Sequence, residues 1–264
     1  MKAKLYDIHG KEKSHIELPE FFSADIREDI IAKVVESLKK HQPYSSAKEA
    51  GRKSTASGSI QHRRHIWKSG YGRGSSRTPR KTMSRKGSQF SWVGAEAPHT
   101  RGGRRAHPPK IEAQLNYKKI NKKEMKKAIE SAISATANEK LILKKYSTLE
   151  GKKVHAPFIV ESGIANLKVK QLVDSMKNIL GADLFNVAIK QKSVRAGRGK
   201  MRGRRYKSTA GLLIVTAKDE DLKTSLFDVA KVQNLSVIDL ASGGAGRLTI
   251  YTENAVKELK EKLK

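Results

Sequence analysis

Residues 41–110 constrain the fold of this 264-residue chain more than any other feature. The stretch contains no leucine, and it carries sixteen Lys and Arg against two acidic residues, a net charge of +14. Such a composition cannot bury enough apolar surface to offset the entropy of ordering the backbone, roughly 1–2 kcal/mol per residue. We therefore predict a long extended internal loop without helices or strands of its own, which an acidic partner orders.

The positive charge of the chain is concentrated in two segments. Residues 190–207 carry nine Lys and Arg and no acid, so residues 190–208 are predicted to form a second basic segment. The two segments together account for +23 of the net charge of +29, and the other 176 residues account for +6. An ordinary solvated surface spreads its charge, so this concentration favours binding to a polyanion such as nucleic acid.

Aromatic residues within the loop favour RNA over diffuse electrostatic attraction. Tyr44, Trp67, Tyr71, Phe90 and Trp92 are interleaved with basic residues, and unpaired bases stack on aromatic rings that lie beside cations. The alternative for each ring is a place in a small local apolar cluster. Arginine also outnumbers lysine in the loop, and the planar guanidinium binds phosphate through two hydrogen bonds and stacks on bases.

Outside the basic segments, the pattern of apolar residues is that of an α/β domain. Short β-branched and apolar runs predict strands, and apolar residues at helical spacing predict helices. Strands are predicted at 2–8, 14–18, 158–161, 185–189, 212–216, 235–240 and 248–251, and helices after Ser23, after Asn121 with its capping partner Glu124, and at 166–180, 220–229 and 253–263. Apolar strands that alternate with helices indicate one globular domain, formed by residues 1–40 and 111–264, with a mainly parallel central sheet flanked by helices.

The composition argues against several classes of function. The chain has no cysteine, which excludes disulfides, thiolate nucleophiles and Cys-based zinc sites. No apolar stretch reaches the roughly 18 residues of a membrane span, and the first residues lack the apolar run of a signal peptide, so we expect a cytosolic protein. The histidines of the loop have no cluster of carboxylates beside them, and we predict neither a metal site nor a cofactor.

The strongest sign of an enzyme is the sequence SVIDLASGGAGR at residues 236–247. A strand followed by a Gly-rich turn, here at 242–246, occurs in nucleotide-type cofactor sites such as those of RNA methyltransferases. The βαβ unit that should follow has no room near the end of the chain, and residues 248–251 are predicted as a strand rather than a helix. Asp219, Glu220 and Asp221 are assigned to the start of a helix rather than to acid–base chemistry. We predict that the chain is not an enzyme.

Three motifs in the basic segments resemble those of one family. They are SGYGRGSSRTPR at 69–80, GGRRAHPPK at 102–110 and RAGRGKMRGRRYKS at 195–208. They occur in this order in large-subunit ribosomal protein four, the universal L-four family, in its archaeal and eukaryotic form. The similarity extends over essentially the full chain, including AGRLTIYTENAV at 245–256, and the length is most like that of the archaeal members.

The resemblance implies a structural constituent of the large ribosomal subunit in the cytoplasm. Such a protein binds large-subunit rRNA, supports subunit assembly and contacts neighbouring large-subunit ribosomal proteins. Its globular domain would lie on the outer face of the subunit, and its extended loop would pass between rRNA helices. The loop tip would help to form the wall of the nascent-peptide exit tunnel and would contact the nascent peptide. The resemblance implies no membrane and no small-molecule substrate.

The resemblance also assigns rRNA contacts to individual residues. Trp67 and Tyr71 would stack on bases. The charged contacts of the loop and of its returning strand would be Arg63, Arg64, Arg73, Arg77, Arg80, Lys81, Arg85, Lys86, Arg101, Arg104 and Arg105. Those of a second rRNA-facing patch beside the root of the loop would be Arg195, Arg198, Lys200, Arg202, Arg204 and Arg205. The main alternative is a nonribosomal nucleic-acid chaperone or DNA-compacting protein, although the dimer surface and apolar wedge usual in such proteins are not evident.

Overall fold

The structure is a computed structural model that describes residues 1–39, 58–101, 103, 106–107, 118–149, 151–152 and 154–263. The chain divides into two compact units. Met1–Leu38 and Lys118–Lys264 form the first, which we call the α/β unit, and Lys39–Tyr117 form the second, which we call the loop unit. Residues 40–57 and 108–117, at the two ends of the loop unit, lie outside the described residues, and with them the ring of Tyr44.

The elements of both units are numbered in chain order. The strands are β1 (Lys2–Tyr6), β2 (Glu12–Glu17), β3 (Arg80–Lys86), β4 (Gln89–Gly94), β5 (Phe158–Val160), β6 (Lys192–Val194), β7 (Tyr206–Ser208), β8 (Leu213–Thr216), β9 (Asp228–Lys231) and β10 (Thr249–Thr252). The α-helices are α1 (Glu28–Leu38), α2 (Lys122–Ala137), α3 (Glu139–Lys145), α4 (Val169–Ala188), α5 (Val237–Leu240) and α6 (Glu253–Lys262). Short 3-10 helices occur at Glu20–Ser23, Ser147–Leu149, Ser162–Asn166, Arg198–Arg202 and Val232–Asn234.

Six strands of the α/β unit form one central sheet in the order β2-β1-β5-β10-β8-β9. The β1–β2 pair is an antiparallel hairpin, and every other neighbouring pair is parallel. The predicted fold class, α/β with a mainly parallel central sheet flanked by helices, is confirmed.

Helices cover both faces of this sheet. Successive side chains of a strand point to opposite sides, and in the central strands both sets are apolar and buried. Ile159 and Val215 lie in an apolar cluster with residues of α1, α2, α5 and α6. Phe158 and Ile214 lie in a second cluster with residues of α3 and α4. Burial of one such side chain contributes about 1.5–3 kcal/mol. Burial on both faces is why the central strands appear in the sequence as continuous apolar runs.

Polar contacts fix the starts of the first two helices. The helix predicted after Ser23 begins at Glu28, because a 3-10 turn and an extended stretch precede it. The hydroxyls of Ser134 and Ser131 on α2 donate to the carbonyls of Ala24 and Asp25 in that stretch, at 2.7 and 2.9 Å. The predicted cap of α2 is confirmed, since the N–H of Asn121 donates to the carboxylate of Glu124 at 3.4 Å.

The strand predicted at 185–189 is wrong, because this segment belongs to α4. The sequence predicts that the helix ends at Gly181, and this glycine does take the left-handed φ of 74°. The chain returns to helical geometry immediately afterwards. Leu184, Phe185 and Ala188 then reach the same apolar cluster as the first half of the helix. Tertiary packing thus overrides a local pattern of β-branched and aromatic residues.

The helix predicted at 220–229 is also wrong. The segment is irregular and leads into β9, and Glu220 is buried within it. The Glu220 carboxylate accepts hydrogen bonds from the N–H of Ala217 (3.0 Å), the hydroxyl of Thr252 (2.6 Å) and the side-chain amide of Asn254 (3.1 Å). It joins the ends of β8 and β10, so its role is structural.

Residues 237–240 form the short helix α5 rather than the predicted strand. The N–H and the hydroxyl of Ser236 both donate to the carboxylate of Asp239, at 3.1 and 2.7 Å, and fix the start of the helix. Gly246 takes a φ of 78°, and a Cβ at this position would lie 2.8 Å from backbone atoms of Leu141. The Gly-rich turn therefore follows a helix and serves close packing on α3, which removes the structural basis of the cofactor-site alternative.

Arg247 follows that turn and is a buried cation, with 2% of its surface exposed. Its guanidinium donates to the carbonyls of Gly211 (3.2 Å), Asp239 (2.7 Å) and Ala210 (2.6 Å) and to the carboxylate of Asp228 (2.5 Å). A buried charge costs several kcal/mol unless it is paired and hydrogen-bonded, and here both conditions are met. Arg247 thereby joins α5, β9 and the segment that precedes β8.

Two lysines complete this polar network. Lys190 pairs with the other oxygen of the Asp228 carboxylate at 2.6 Å. Partial burial opposes ionisation of Asp228, but Lys190 and Arg247 hold the pKa of its carboxyl below the ordinary value. Lys145 donates to the carbonyls of Ser242 and Gly244, both at 2.8 Å. Burial, and next the charge of Arg247, lowers the pKa of Lys145 to about 8.

The loop unit contains an antiparallel hairpin, so the expectation of a loop without strands is wrong for residues 80–94. Strands β3 and β4 pair from Arg80 opposite Gly94 to Lys86 opposite Gln89, and Gly87 in the turn takes a φ of 59°. The rings of Trp67 and Phe90 lie 5.3 Å apart, as do those of Phe90 and Trp92. These three rings form a small local cluster, which was the alternative considered for each ring. The cluster provides apolar contacts in a segment that has few aliphatic residues.

We expect Arg247→Met to lower the free energy of unfolding by about 3–5 kcal/mol, because it leaves three carbonyls without their donor and removes one partner of Asp228. Urea unfolding followed by circular dichroism measures the change. Arg27→Met is the matched control, since Arg27 pairs with Asp29 on the exposed surface and exposed pairs contribute little. Equal losses in the two variants would contradict the assignment.

Candidate nucleic-acid interface

One part of the candidate interface surrounds the ring of Trp67, which is 58% exposed. The guanidinium carbon of Arg85 lies 5.5 Å from the centre of the Trp67 ring and 5.6 Å from that of Phe90. The Nε of Arg85 donates to the carbonyl of Gly87 at 2.8 Å. Trp67 and the hairpin together therefore present an exposed aromatic surface and an oriented guanidinium side by side, a combination that suits an unpaired base and its phosphate.

A second part surrounds Tyr71, which is 37% exposed. The guanidinium carbons of Arg64 and Arg77 lie 5.9 and 5.4 Å from the centre of its ring. Cation–π contacts of this kind are worth about 0.5–1 kcal/mol at exposed sites. They hold two of the predicted arginines close to a predicted stacking ring.

The remaining predicted residues of the loop unit have few partners. Arg80 donates to the hydroxyl of Ser76 at 2.9 Å, and the carbonyl of Arg63 accepts from the hydroxyl of Ser69 at 2.5 Å. Arg73, Lys86 and Arg101 are exposed. Arg104 and Arg105 lie outside the described residues.

Acidic partners are almost absent from the described part of the loop unit. Residues 63–87 carry nine Lys and Arg and no acid. The one ion pair among the described residues of this unit joins Lys81 to Glu96 at 3.9 Å. The other described cations of residues 63–101 repel one another without compensation from a described residue, so this surface attracts an external anion.

The second basic segment forms a small hairpin of β6 and β7, joined by the 3-10 turn Arg198–Arg202. Arg195 donates through its backbone N–H to the carbonyl of Arg205 (2.8 Å) and through its Nε to that of Arg204 (3.1 Å). The predicted residues Arg198, Lys200, Arg202, Arg204 and Arg205 are exposed, and Arg195 is half-buried. No cation of residues 191–208 forms an ion pair with a described residue.

The rest of the α/β unit has a nearly balanced charge and contains many ion pairs. Several of its surface lysines have carboxylate partners, for example Lys4 with Glu12 (2.5 Å), Lys13 with Glu161 (3.1 Å) and Lys33 with Glu124 (2.8 Å). The two basic segments are therefore distinguished by their net charge and by the near absence of ion pairs among their described residues.

Tyr206 is a further aromatic residue of the second basic segment and was not among the predicted site residues. Lys192 Nζ lies 4.4 Å from the centre of the Tyr206 ring, and the guanidinium carbon of Arg205 lies 5.7 Å from it. The sequence carries a signal for it, because Tyr206 directly follows two arginines, as the aromatic residues of the loop are interleaved with basic residues. Lys68 was not predicted either, and its Nζ lies 6.0 Å from the centre of the Phe90 ring.

Other kinds of site find no support in the part of the chain that the structure describes. It contains no group of three or more His, Asp or Glu side chains arranged to hold a metal ion. It also contains no helix that is both long enough and apolar enough to cross a membrane. The Nε2 of His99 lies 3.0 Å from the hydroxyl of Thr78, as one of the local contacts of the loop unit.

Comparison with known proteins agrees with the motifs of the two basic segments. A profile of the ribosomal protein L4/L1 family matches residues 16–262. Large ribosomal subunit protein uL4 of Archaeoglobus fulgidus is 38% identical over 271 aligned positions, which cover 99% of each chain. The proteins of the same name from Methanoregula boonei and Thermoplasma acidophilum are 39% and 37% identical, over 98% of this chain and 99% and 98% of their own. This chain therefore belongs to the ribosomal protein L4/L1 family, and it resembles the archaeal members over its whole length.

Proposed function

We propose that this chain binds large-subunit rRNA through the loop unit and the second basic segment, as a structural protein of the large ribosomal subunit. Its family consists of structural ribosomal proteins, which confirms the prediction that it is not an enzyme. Membership of the family also confirms the predicted place of the chain in the ribosome and hence in the cytoplasm.

The observation that carries the proposal is the set of cations without described acidic partners in two segments that also hold the family motifs. RNA supplies one negative charge per nucleotide, and neutralising its phosphates releases condensed counterions. The same contacts would relieve the repulsion among the cations of the loop unit. Binding would therefore provide both the affinity and the order that the loop sequence lacks.

The proposed contacts follow the assignments made from the motifs. Trp67 and Tyr71 stack on unpaired bases, with Arg85 beside the first ring and Arg64 and Arg77 beside the second. The remaining basic residues contact phosphates or base edges. They are Arg63, Arg73, Arg80, Lys81, Lys86, Arg101, Arg104 and Arg105 in the loop unit and Arg195, Arg198, Lys200, Arg202, Arg204 and Arg205 in the second segment.

We also propose that the loop helps to form the wall of the nascent-peptide exit tunnel and contacts the nascent peptide and neighbouring ribosomal proteins. The β3–β4 hairpin supports this role, because two strands only about 4.7–4.9 Å apart make a thin element that fits between RNA helices. Its turn at Gly87 and the adjacent strand ends are exposed. Support of subunit assembly follows if the loop and rRNA order each other.

We expect the full chain to bind a large-subunit rRNA fragment much more tightly than duplex DNA of equal charge at about 0.2 M salt, where sequence-independent attraction weakens. Filter binding or fluorescence anisotropy at several salt concentrations measures both affinities. Equal affinities would instead favour the nucleic-acid chaperone or DNA-compacting protein.

The contribution of the second segment can be isolated with a charge-matched pair of variants. We expect the triple substitution of Arg198, Lys200 and Arg202 by Ser to reduce the slope of log K against log salt for rRNA by about 2–3, because each phosphate contact contributes about 0.7–0.9. Substitution of the exposed Lys122, Lys123 and Lys127 of α2 by Ser removes the same charge outside both segments. An equal change of slope in that control would show that only total charge matters.

Deletion of residues 59–94 tests the contribution of the loop. The apolar clusters of the α/β unit contain no described residue of the loop unit, so we expect the circular dichroism spectrum to retain the helix and sheet of that unit. Binding to rRNA should survive in part through the second segment, whereas late subunit assembly and crosslinking to nascent peptide should change. Global unfolding of the deletion variant would contradict the proposed division of roles.

A further inference from the structure

We infer that a small cavity in the loop unit binds a single unstacked nucleotide of RNA. The cavity has a volume of about 200 Å³ and lies between Ile60, His62 and the glycine-rich turn at residues 70–77. Sites for drug-sized ligands occupy roughly 300–1,000 Å³, so this smaller space suits one nucleobase. The inference rests on the proposed binding of rRNA and adds to it a defined recognition site.

The chemistry of the cavity wall matches that of a base, which has apolar faces and polar edges. Ile60 and the ring of Tyr71 supply apolar surface, and Ser75, Ser76 and Arg77 supply polar groups. A hydroxyl both donates and accepts, whereas guanidinium only donates, so the polar part of the wall can meet either kind of group on a base edge. Single-stranded RNA is read in this way, by stacking together with hydrogen bonds to base edges.

The backbone of the turn adds donors that no described residue uses. Gly72 and Gly74 take left-handed φ values of 75° and 64°, and a Cβ at either position would meet no atom within 4 Å. Glycine is therefore required there by the backbone conformation and not by packing. Among the described residues, no hydrogen bond forms from the backbone N–H groups of residues 74–76. Successive free N–H groups in a turn form concavities that bind anions, which suits the phosphate of the same nucleotide.

The cations around Tyr71 orient its ring in the absence of RNA. Arg64 and Arg77 hold the ring from positions 5.9 and 5.4 Å from its centre. Arg73 lies between the two left-handed glycines and is exposed. A ring held in place loses less conformational entropy when a base stacks on it, and nearby cations attract the phosphate.

The test uses the full chain and a large-subunit rRNA fragment at fixed salt. We expect Tyr71→Ala to weaken binding roughly 10- to 100-fold, the range that base–aromatic stacking supplies, and Tyr71→Phe to stay close to wild type. Ultraviolet crosslinking should join Tyr71 to one nucleotide, and that nucleotide should react with base-modifying reagents when Tyr71 is Ala. Tyr206→Ala is the matched control, because Lys192 and Arg205 flank that ring similarly, and it should leave the nucleotide protected.

A second measurement avoids dependence on the folding of a variant. Addition of nucleoside 5′-monophosphates to the wild-type chain should shift the NMR signals of the Ile60 methyl groups and of the Gly72 and Gly74 amides. Ribose 5-phosphate should shift only the amides. Equal methyl shifts with ribose 5-phosphate, or no crosslink at Tyr71 in a chain that binds rRNA tightly, would overturn the nucleotide site and leave the proposed function intact. Failure of the wild-type chain to prefer rRNA over DNA would instead overturn the proposed function.

Discussion

The buried guanidinium of Arg247 holds together the part of the α/β unit from which the second basic segment extends. The segment begins at Lys190, which pairs with Asp228, and the chain returns at Ala210 and Gly211, whose carbonyls accept hydrogen bonds from Arg247. Because Arg247 also binds Asp228, one network fixes both ends of a segment with a charge of +9. Repulsion among the exposed cations therefore acts within the small hairpin, and the anchored ends keep it from distorting the central sheet.

The loop unit also holds its cations in place, but it does so with aromatic rings and not with a buried ionic network. An arginine paired with a carboxylate is well oriented, but its charge is neutralised and less available to an outside anion. An arginine beside an aromatic ring is oriented by the ring quadrupole and keeps its full charge. Arg64, Arg77 and Arg85 are all held in this way. The interleaving of arginine and aromatic residues thus gives the unit local order and preserves the charge that the proposed rRNA binding needs.

The sequence predicts those features of the fold that local pattern determines. Strands β8 and β10 and the cap of α2 were predicted because burial on both faces and a capping pair leave clear local signals. The errors at 185–189 and 220–229 arise where distant partners decide, as when Glu220 binds Thr252. The error at 235–240 has a local cause, because the contacts of Ser236 with Asp239 begin a helix there. For the candidate site, the sequence indicates the two segments and most of their residues. It does not indicate which cation meets which ring, because Arg85 reaches Phe90 only through the register of the β3–β4 hairpin.

Tyr71 and Tyr206 have similar surroundings but lie in different local structures. Each ring is flanked by two cations, but Tyr206 lies on a regular strand whereas Tyr71 lies in a glycine-rich turn that lines a cavity. An exposed ring on a hairpin can stack on any base, because every base has an aromatic face. A ring that lines a cavity beside hydroxyls and free N–H groups can distinguish bases by their edges. The second segment would then contribute chiefly affinity, with its strong salt dependence, and the loop chiefly the choice of position on the rRNA.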